Sequence, residues 1–149
     1  MARHQVGASA LIEVPSAKVY SIIADYHNGH PHILPKPYFV SLTVEQGGIG
    51  AGTVISFQMK MMGELQIFHA TISEPEPGRL LTETTDKGAI TTFRVEPRED
   101  GQHAFVTIST ETDIPDGLPG KFQGWLTTRL LRPIYIQELE QLAAFAKNG

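Results

Sequence analysis

Residues 118–147, LPGKFQGWLTTRLLRPIYIQELEQLAAFAK, form the one stretch of this 149-residue chain that is long enough, and apolar enough along one side, to cover a whole sheet. Phe122, Leu126, Arg129, Pro133, Ile136, Leu139 and Ala143 step along it at intervals of three or four, and Leu130, Ile134, Leu142 and Phe145 broaden the stripe. The spacing predicts a helix from Leu118 to Lys147. Pro119 is acceptable in a first turn, while Lys147, Asn148 and Gly149 suit the end, supplying a cation and residues that tolerate the left-handed conformation. Pro133 removes one amide donor and crowds the carbonyl of Arg129, at a cost of ~3 kcal/mol or more in a regular interior. A kink there, or a break into two helices, is expected. Burying each large apolar side chain is worth ~1.5 to 3 kcal/mol, so several together outweigh the proline.

Upstream, the chain alternates. Val6, Ala8, Ala10, Ile12 and Val14 share a parity that ends at Pro15, the pattern of a half-buried strand. Ser16 is a candidate N-cap for a short helix, Ser16 to Asp25, in which Val19, Ile22 and Ile23 fall at helical spacing. From Tyr26 to Pro37 the glycine and prolines at 29, 31, 35 and 37 break regular structure among His27, His30 and His32. Strands then follow in series, with Tyr38, Val40, Leu42 and Val44 on one parity and Ile55, Phe57, Met59 and Met61 on the next, after a glycine-rich turn at 47–52. Between residues 64 and 74 both parities are apolar, and the Phe68, Ala70, Ile72 side is taken as inward. Leu80 to Thr84 is a short strand, and Thr91, Phe93 and Val95, then Val106, Ile108, Thr110 and Thr112, complete the inward set. Strands this close together cannot be parallel, because a parallel pair needs a crossover of a dozen or more residues. The fold class is therefore α+β, an antiparallel sheet of about seven strands covered by the closing helix.

Composition narrows the function classes. The length suits a single domain spanning 1–149 with a core of its own. A net charge of −4, with its 12 Lys and Arg scattered, argues against a nucleic-acid binder, which needs clustered cations on phosphates. Cysteine is absent, which removes disulfides and thiolate metal sites and suits a reducing cytoplasm, the expected location. No apolar run has signal-peptide length or approaches the ~20 residues of a membrane span. The glycines at 47–52 do not make a dinucleotide fingerprint, since Thr53 stands where the third glycine would fall and a strand follows.

The segments IEVPSAKVYSIIADY, HILPKPYFVSLTVEQGGIGAGTVISF, ISEPEPGRLL, TTFRVEPREDGQHAFVTIST and LLRPIYIQELEQLAAFA together resemble the START-like superfamily, and within it the polyketide cyclase/dehydrase and lipid-transport type. The resemblance covers nearly the whole chain and lies in apolar positions and turns, not in a catalytic signature. It implies a helix-grip fold, a curved sheet wrapped on the long C-terminal helix. It also implies a small hydrophobic ligand (lipid, polyketide or aromatic) held between sheet and helix, with no cofactor. The alternative it carries is a cyclase, dehydratase or hydrolase acting on a carbonyl-containing hydrophobic substrate in the same cavity.

Periodicity alone does not separate a filled core from a cavity. The resemblance implies a cavity, for which Phe57, Met59, Phe68, Phe93, Ile108, Trp125 and Leu126 are the candidate lining. Arg129 is the polar residue of most interest because it sits on the apolar stripe, where a guanidinium either orients an anionic or polarised group or snorkels its head to water. His27, His30 and His32 are assigned to the pocket mouth. No metal is assigned, because Gly29 and Pro31 leave no regular frame to aim the rings together. Glu83, Glu111 and Asp113 are carboxylates available for acid–base work, but nothing in the sequence brings two of them within reach.

Overall fold

The structure, a computed structural model, describes residues 2–148. In chain order it contains β1 (Ala2–Ile12), α1 (Ser16–Ala24), a 3-10 turn η1 (His30–Ile33), β2 (Phe39–Gln46), β3 (Val54–Met61), β4 (Glu64–Glu76), β5 (Leu80–Thr85), β6 (Ile90–Arg98), β7 (His103–Ile114) and α2 (Gly117–Asn148). The seven strands form one sheet in the order β1-β7-β6-β5-β4-β3-β2, and every pairing is antiparallel. Six strands follow one another as hairpins from β2 to β7, and β1 closes the far edge beside β7. This is the helix-grip arrangement expected from the sequence. Gly149, read as part of the helix end, lies outside the described residues.

Alternation decides which side of the sheet is dry. Ile55, Phe57 and Met59 of β3, Ala70 and Ile72 of β4, Leu81 of β5, Phe93 and Val95 of β6, and Val106 and Ile108 of β7 are all buried. On β4, where both parities are apolar, Leu65 and Ile67 are exposed, which puts the Phe68 side inward as expected. One strand departs from simple alternation. Between Phe39 and Ser41 the register of β2 against β3 shifts by a residue, the mark of a β-bulge. The extra residue, Val40, turns out to solvent, and Phe39 and Leu42, three apart, both turn in.

The first helix begins at Ser16, but Ser16 does not cap it. Pro15 holds the cap position with no side-chain hydrogen bond, and the Ser16 amide donates to the Gly101 carbonyl at 3.0 Å, tying the helix start to the β6–β7 turn. Gly29 folds the following loop back on this helix, because its backbone lies so close to the Ile22 carbonyl that a Cβ there would clash.

The second helix runs unbroken through Pro133, one helix rather than two. It packs on β1, β7, η1 and α1. Its buried side is Gly120, Gly124, Ile134, Tyr135, Glu138, Leu139, Leu142 and Ala146, which corrects part of the inward stripe read from the sequence. Ile134, Leu139 and Leu142 of that stripe are buried as expected, whereas Phe122, Arg129 and Ile136 are exposed, as is Trp125 next to them. The helix carries apolar residues around much of its circumference, so periodicity alone does not fix which of them turn inward; in the fold Gly124 lies against His4 of β1 and Gly120 against the Pro115 backbone. Among the described residues, no helix is long and apolar enough to cross a membrane. Leu142, fully buried under this cover, tests the assignment: Leu142→Ala is expected to lower unfolding stability by about 2 to 5 kcal/mol in a denaturant titration, while Ile136→Ala, on the exposed side, should change it by less than about 0.5 kcal/mol.

Candidate functional site

The sheet does not meet α2 everywhere. Between the β2–β3–β5–β6 part of the concave face and the middle of α2 lies a half-open cavity of about 60 Å³, room for a few water molecules at ~10 to 15 Å³ each or for part of a small ligand. Its walls are apolar, formed by Leu34, Phe39, Leu42, Ile55, Phe57, Met59 and Phe93. Five polar residues also reach it: His30 from η1, Glu83 from β5, Thr91 from β6, and Tyr135 and Glu138 from α2.

These polar groups are tied to one another in a definite order. His30, 2% exposed, stacks on Tyr26 with ring centroids 4.3 Å apart and meets Phe93 edge-on at 5.3 Å. Its Nδ1 is 2.7 Å from the Ile23 carbonyl oxygen; a carbonyl only accepts, so Nδ1 carries the proton and donates. That leaves Nε2 facing Glu83 Oε2 at 3.5 Å. The same carboxylate oxygen accepts from the Tyr26 hydroxyl at 2.5 Å. Burial, and then the Glu83 charge, push the Tyr26 hydroxyl well above its ordinary pKa, so it stays a donor. On the helix side, Tyr135 and Thr110 share a hydrogen bond, and Thr110 and Thr91 join hydroxyls at 2.7 Å.

Glu138 is different. It is 2% exposed, it lines the cavity, and no hydrogen-bond partner is found for it among the described residues. Desolvation first, and then repulsion from Glu83, raise its pKa well above the usual carboxylate range. A carboxyl group so placed holds its proton and has donor and acceptor capacity that only something inside the cavity can use.

Of the residues singled out from the sequence, Phe57, Met59 and Phe93 line this cavity. Phe68 backs the wall by stacking on Phe57 at 5.2 Å, and Ile108 lies in the filled core on β7. Leu126 is half-buried away from the cavity. Trp125 and Arg129 are on the exposed side of α2, the guanidinium carbon 5.5 Å from the indole centroid, so Arg129 follows the snorkelling alternative and reaches no cavity group. The three loop histidines separate. His30 goes inside rather than to the mouth, drawn in by the carbonyl of Ile23 and the ring of Tyr26. His27 stays exposed, with Nε2 donating to the Gly47 carbonyl at 3.3 Å, and His32 stacks on Phe145 at 4.6 Å. Among the described residues no three His, Asp or Glu side chains are set to hold a metal. Glu111 and Asp113 are on the outer face, where both pair with Arg3.

Tyr135 and Glu138 escaped the sequence reading because polar residues in an amphipathic helix are assigned to water by default. A signal existed for Glu83, which shares strand parity with the fully buried Leu81. For Glu138 the signal was its place four residues from both Ile134 and Leu142 on one helix side.

The sequence profile described as polyketide cyclase / dehydrase and lipid transport matches residues 3–147. Solved structures share the architecture. The KanY protein has 24% identity and a TM-score of 0.84 over 99% of each chain. The Zhui aromatase/cyclase from Streptomyces sp. R1128 has 13% identity and a TM-score of 0.74, over 99% of this chain and 95% of that one. A START superfamily protein from Mycobacterium smegmatis has 11% identity and a TM-score of 0.72, over 97% and 98%. At these identities the likeness is one of fold. Curated proteins yield no match.

The raised pKa of Glu138 has a definite pH signature. Where the folded-state pKa of an acid lies above the unfolded one, the native state binds the extra proton, and stability falls as pH rises from the unfolded value toward the folded one. Below the ordinary carboxylate range both states are protonated and nothing is lost. Glu138→Gln removes this penalty, so its melting temperature should exceed that of the parent protein increasingly from pH 4 to pH 8. A gap independent of pH would show that Glu138 is ionised in the folded protein.

Proposed function

The chain belongs to the polyketide cyclase/dehydrase and lipid transport family of the START-like superfamily, and from that premise we propose that its cavity binds a small, uncharged, mainly apolar molecule carrying a carbonyl or hydroxyl group. The observation that carries this is Glu138, a buried carboxyl for which no hydrogen-bond partner is found among the described residues, facing a cavity with apolar walls. Apolar walls supply affinity through burial, and a few convergent polar groups fix orientation, the usual division of labour in small-molecule sites. Phe57, Met59 and Phe93 are the walls in this reading, and Glu138 the group that meets the polar end of the ligand.

The ligand is uncharged because of the charges already present. Among the described residues no Lys or Arg lines the cavity, and the one basic side chain among them there, His30, faces Glu83. A carboxylate ligand would meet two glutamates and no free cation, and an unpaired buried anion is costly. This replaces the role weighed for Arg129.

A second reading, catalysis, is favoured by one feature: two carboxyl groups, Glu83 from the sheet and Glu138 from α2, reach one space. Burial favours the protonated form of Glu138, and Glu83 accepts a hydrogen bond from the Tyr26 hydroxyl. With a ketone bound, Glu138 would give its proton to the carbonyl oxygen while Glu83 takes one from the adjacent carbon. The product is the enol, with no net change in protons, and such a step underlies cyclisation and dehydration of carbonyl compounds.

Two measurements separate these readings. In calorimetric titrations with an aromatic ketone and a carboxylate of matched size, the ketone should bind at least about tenfold more tightly, a difference of ~1.4 kcal/mol. Equal affinities would sink the proposal. For catalysis, NMR should show deuterium from solvent entering the carbon beside the ketone carbonyl, with Glu83→Gln and Glu138→Gln each abolishing the exchange but not the binding. If the parent protein binds the ketone without exchange, the function is binding alone.

A further inference from the structure

The cavity uses one side of α2, and the side left over is not ordinary surface. Leu118, Phe122 and Trp125 are 78%, 63% and 56% exposed. Spaced by four and three residues, they form one outward stripe, with the Phe122 and Trp125 rings 6.0 Å apart. This exposure follows from what the opposite side does. Gly120 and Gly124 are buried there, the His4 ring occupies the space a Cβ on Gly124 would need, and His4 Nε2 is 2.8 Å from Thr128 Oγ1. Gly124 seats the helix on His4 of β1 and Gly120 seats it on the Pro115 backbone, and the aromatic residues are left facing out.

Charge says what this stripe faces. From Gly117 to Gln137 the charged residues are Lys121, Arg129 and Arg132, with no Asp or Glu among them, in a chain whose net charge is −4. All three are exposed, and Arg129 lies beside the Trp125 ring. A second copy of the chain meeting this face symmetrically would set these cations against their own equivalents. A phosphate-bearing surface complements them. Tryptophan and phenylalanine flanked by Lys and Arg are the composition of a helix lying in the headgroup region of a bilayer, apolar side down and cations on the lipid phosphates. We propose that the outward face of α2 docks this protein on an anionic lipid bilayer, through Leu118, Phe122 and Trp125 with Lys121, Arg129 and Arg132.

Trp125 is the chain's sole tryptophan, so its fluorescence reports on this face alone. The protein is titrated with phosphatidylcholine vesicles with and without phosphatidylserine, following Trp125 emission and flotation with the vesicles. The expected result is a blue shift and flotation with the anionic vesicles, partitioning at least about tenfold more strongly than to phosphatidylcholine alone. Both should be lost near 1 M salt, where the screening length is ~3 Å. Leu118→Ser with Phe122→Ser should abolish the shift at an unchanged melting temperature, and Arg129→Gln with Arg132→Gln should reduce partitioning to the phosphatidylcholine level. The proposal is overturned by no shift with either vesicle or by equal partitioning to both. A dimer in sedimentation whose Trp125 emission is already blue-shifted without vesicles would also overturn it, assigning the face to a second copy.

Discussion

A sheet with one apolar face cannot leave that face in water, and in this protein α2 is the element that covers it. Ile134, Leu139, Leu142 and Ala146 do so by close packing, and at ~1.5 to 3 kcal/mol for each large side chain their burial offsets the cost of Pro133 inside the helix. The same helix also carries Tyr135 and Glu138. Where it presents those two residues instead of apolar ones, sheet and helix stand apart and a cavity remains. Cover and site are therefore one element.

The polar groups inside obey the rule that buried donors and acceptors find partners. The Tyr26 hydroxyl donates to Glu83, and His30 Nδ1 donates to the Ile23 carbonyl. Glu138 is the member left out. An apolar residue of similar size at that position would cost nothing in desolvation, so stability does not account for a glutamate there. The expense is understandable if the carboxyl serves a molecule that comes and goes. The division of α2 has a parallel logic: Gly124 lets it sit close on β1, and large aromatic side chains are consigned to the far side.

Much of the fold was legible because strand alternation is a local signal with a fixed period. Phe57, Phe93 and Ile108 could be assigned inward from their parity alone, and the short spacing of the strands required antiparallel pairing. Where the local signal failed, a nonlocal one had taken over. The bulge at Val40 answers to the pairing of β2 with β3 and inverts the assignment of Phe39. His30 is buried because Gly29 lets the loop close on α1, where Tyr26 and the Ile23 carbonyl receive the ring. Its neighbours His27 and His32, with the same chemistry and nearly the same sequence surroundings, go elsewhere. In α2 the sequence offered apolar residues on more than one side, and of the predicted stripe Ile134, Leu139 and Leu142 turned inward while Phe122 and Ile136 stayed outside.

By itself the sequence determined the element order, the antiparallel sheet and the presence of a long covering helix, because each rests on periodicity and turn chemistry within a few residues. Only the tertiary structure decided which side of α2 turns inward and whether the space beneath it is filled. It also decided that Glu83, which arrives from a strand, and Glu138, from a helix, share a cavity. The physical reason is that hydrophobic patterning records how often a position is dry and not what it is dry against. A carboxyl group facing a cavity carries, in one dimension, the same mark as one facing water.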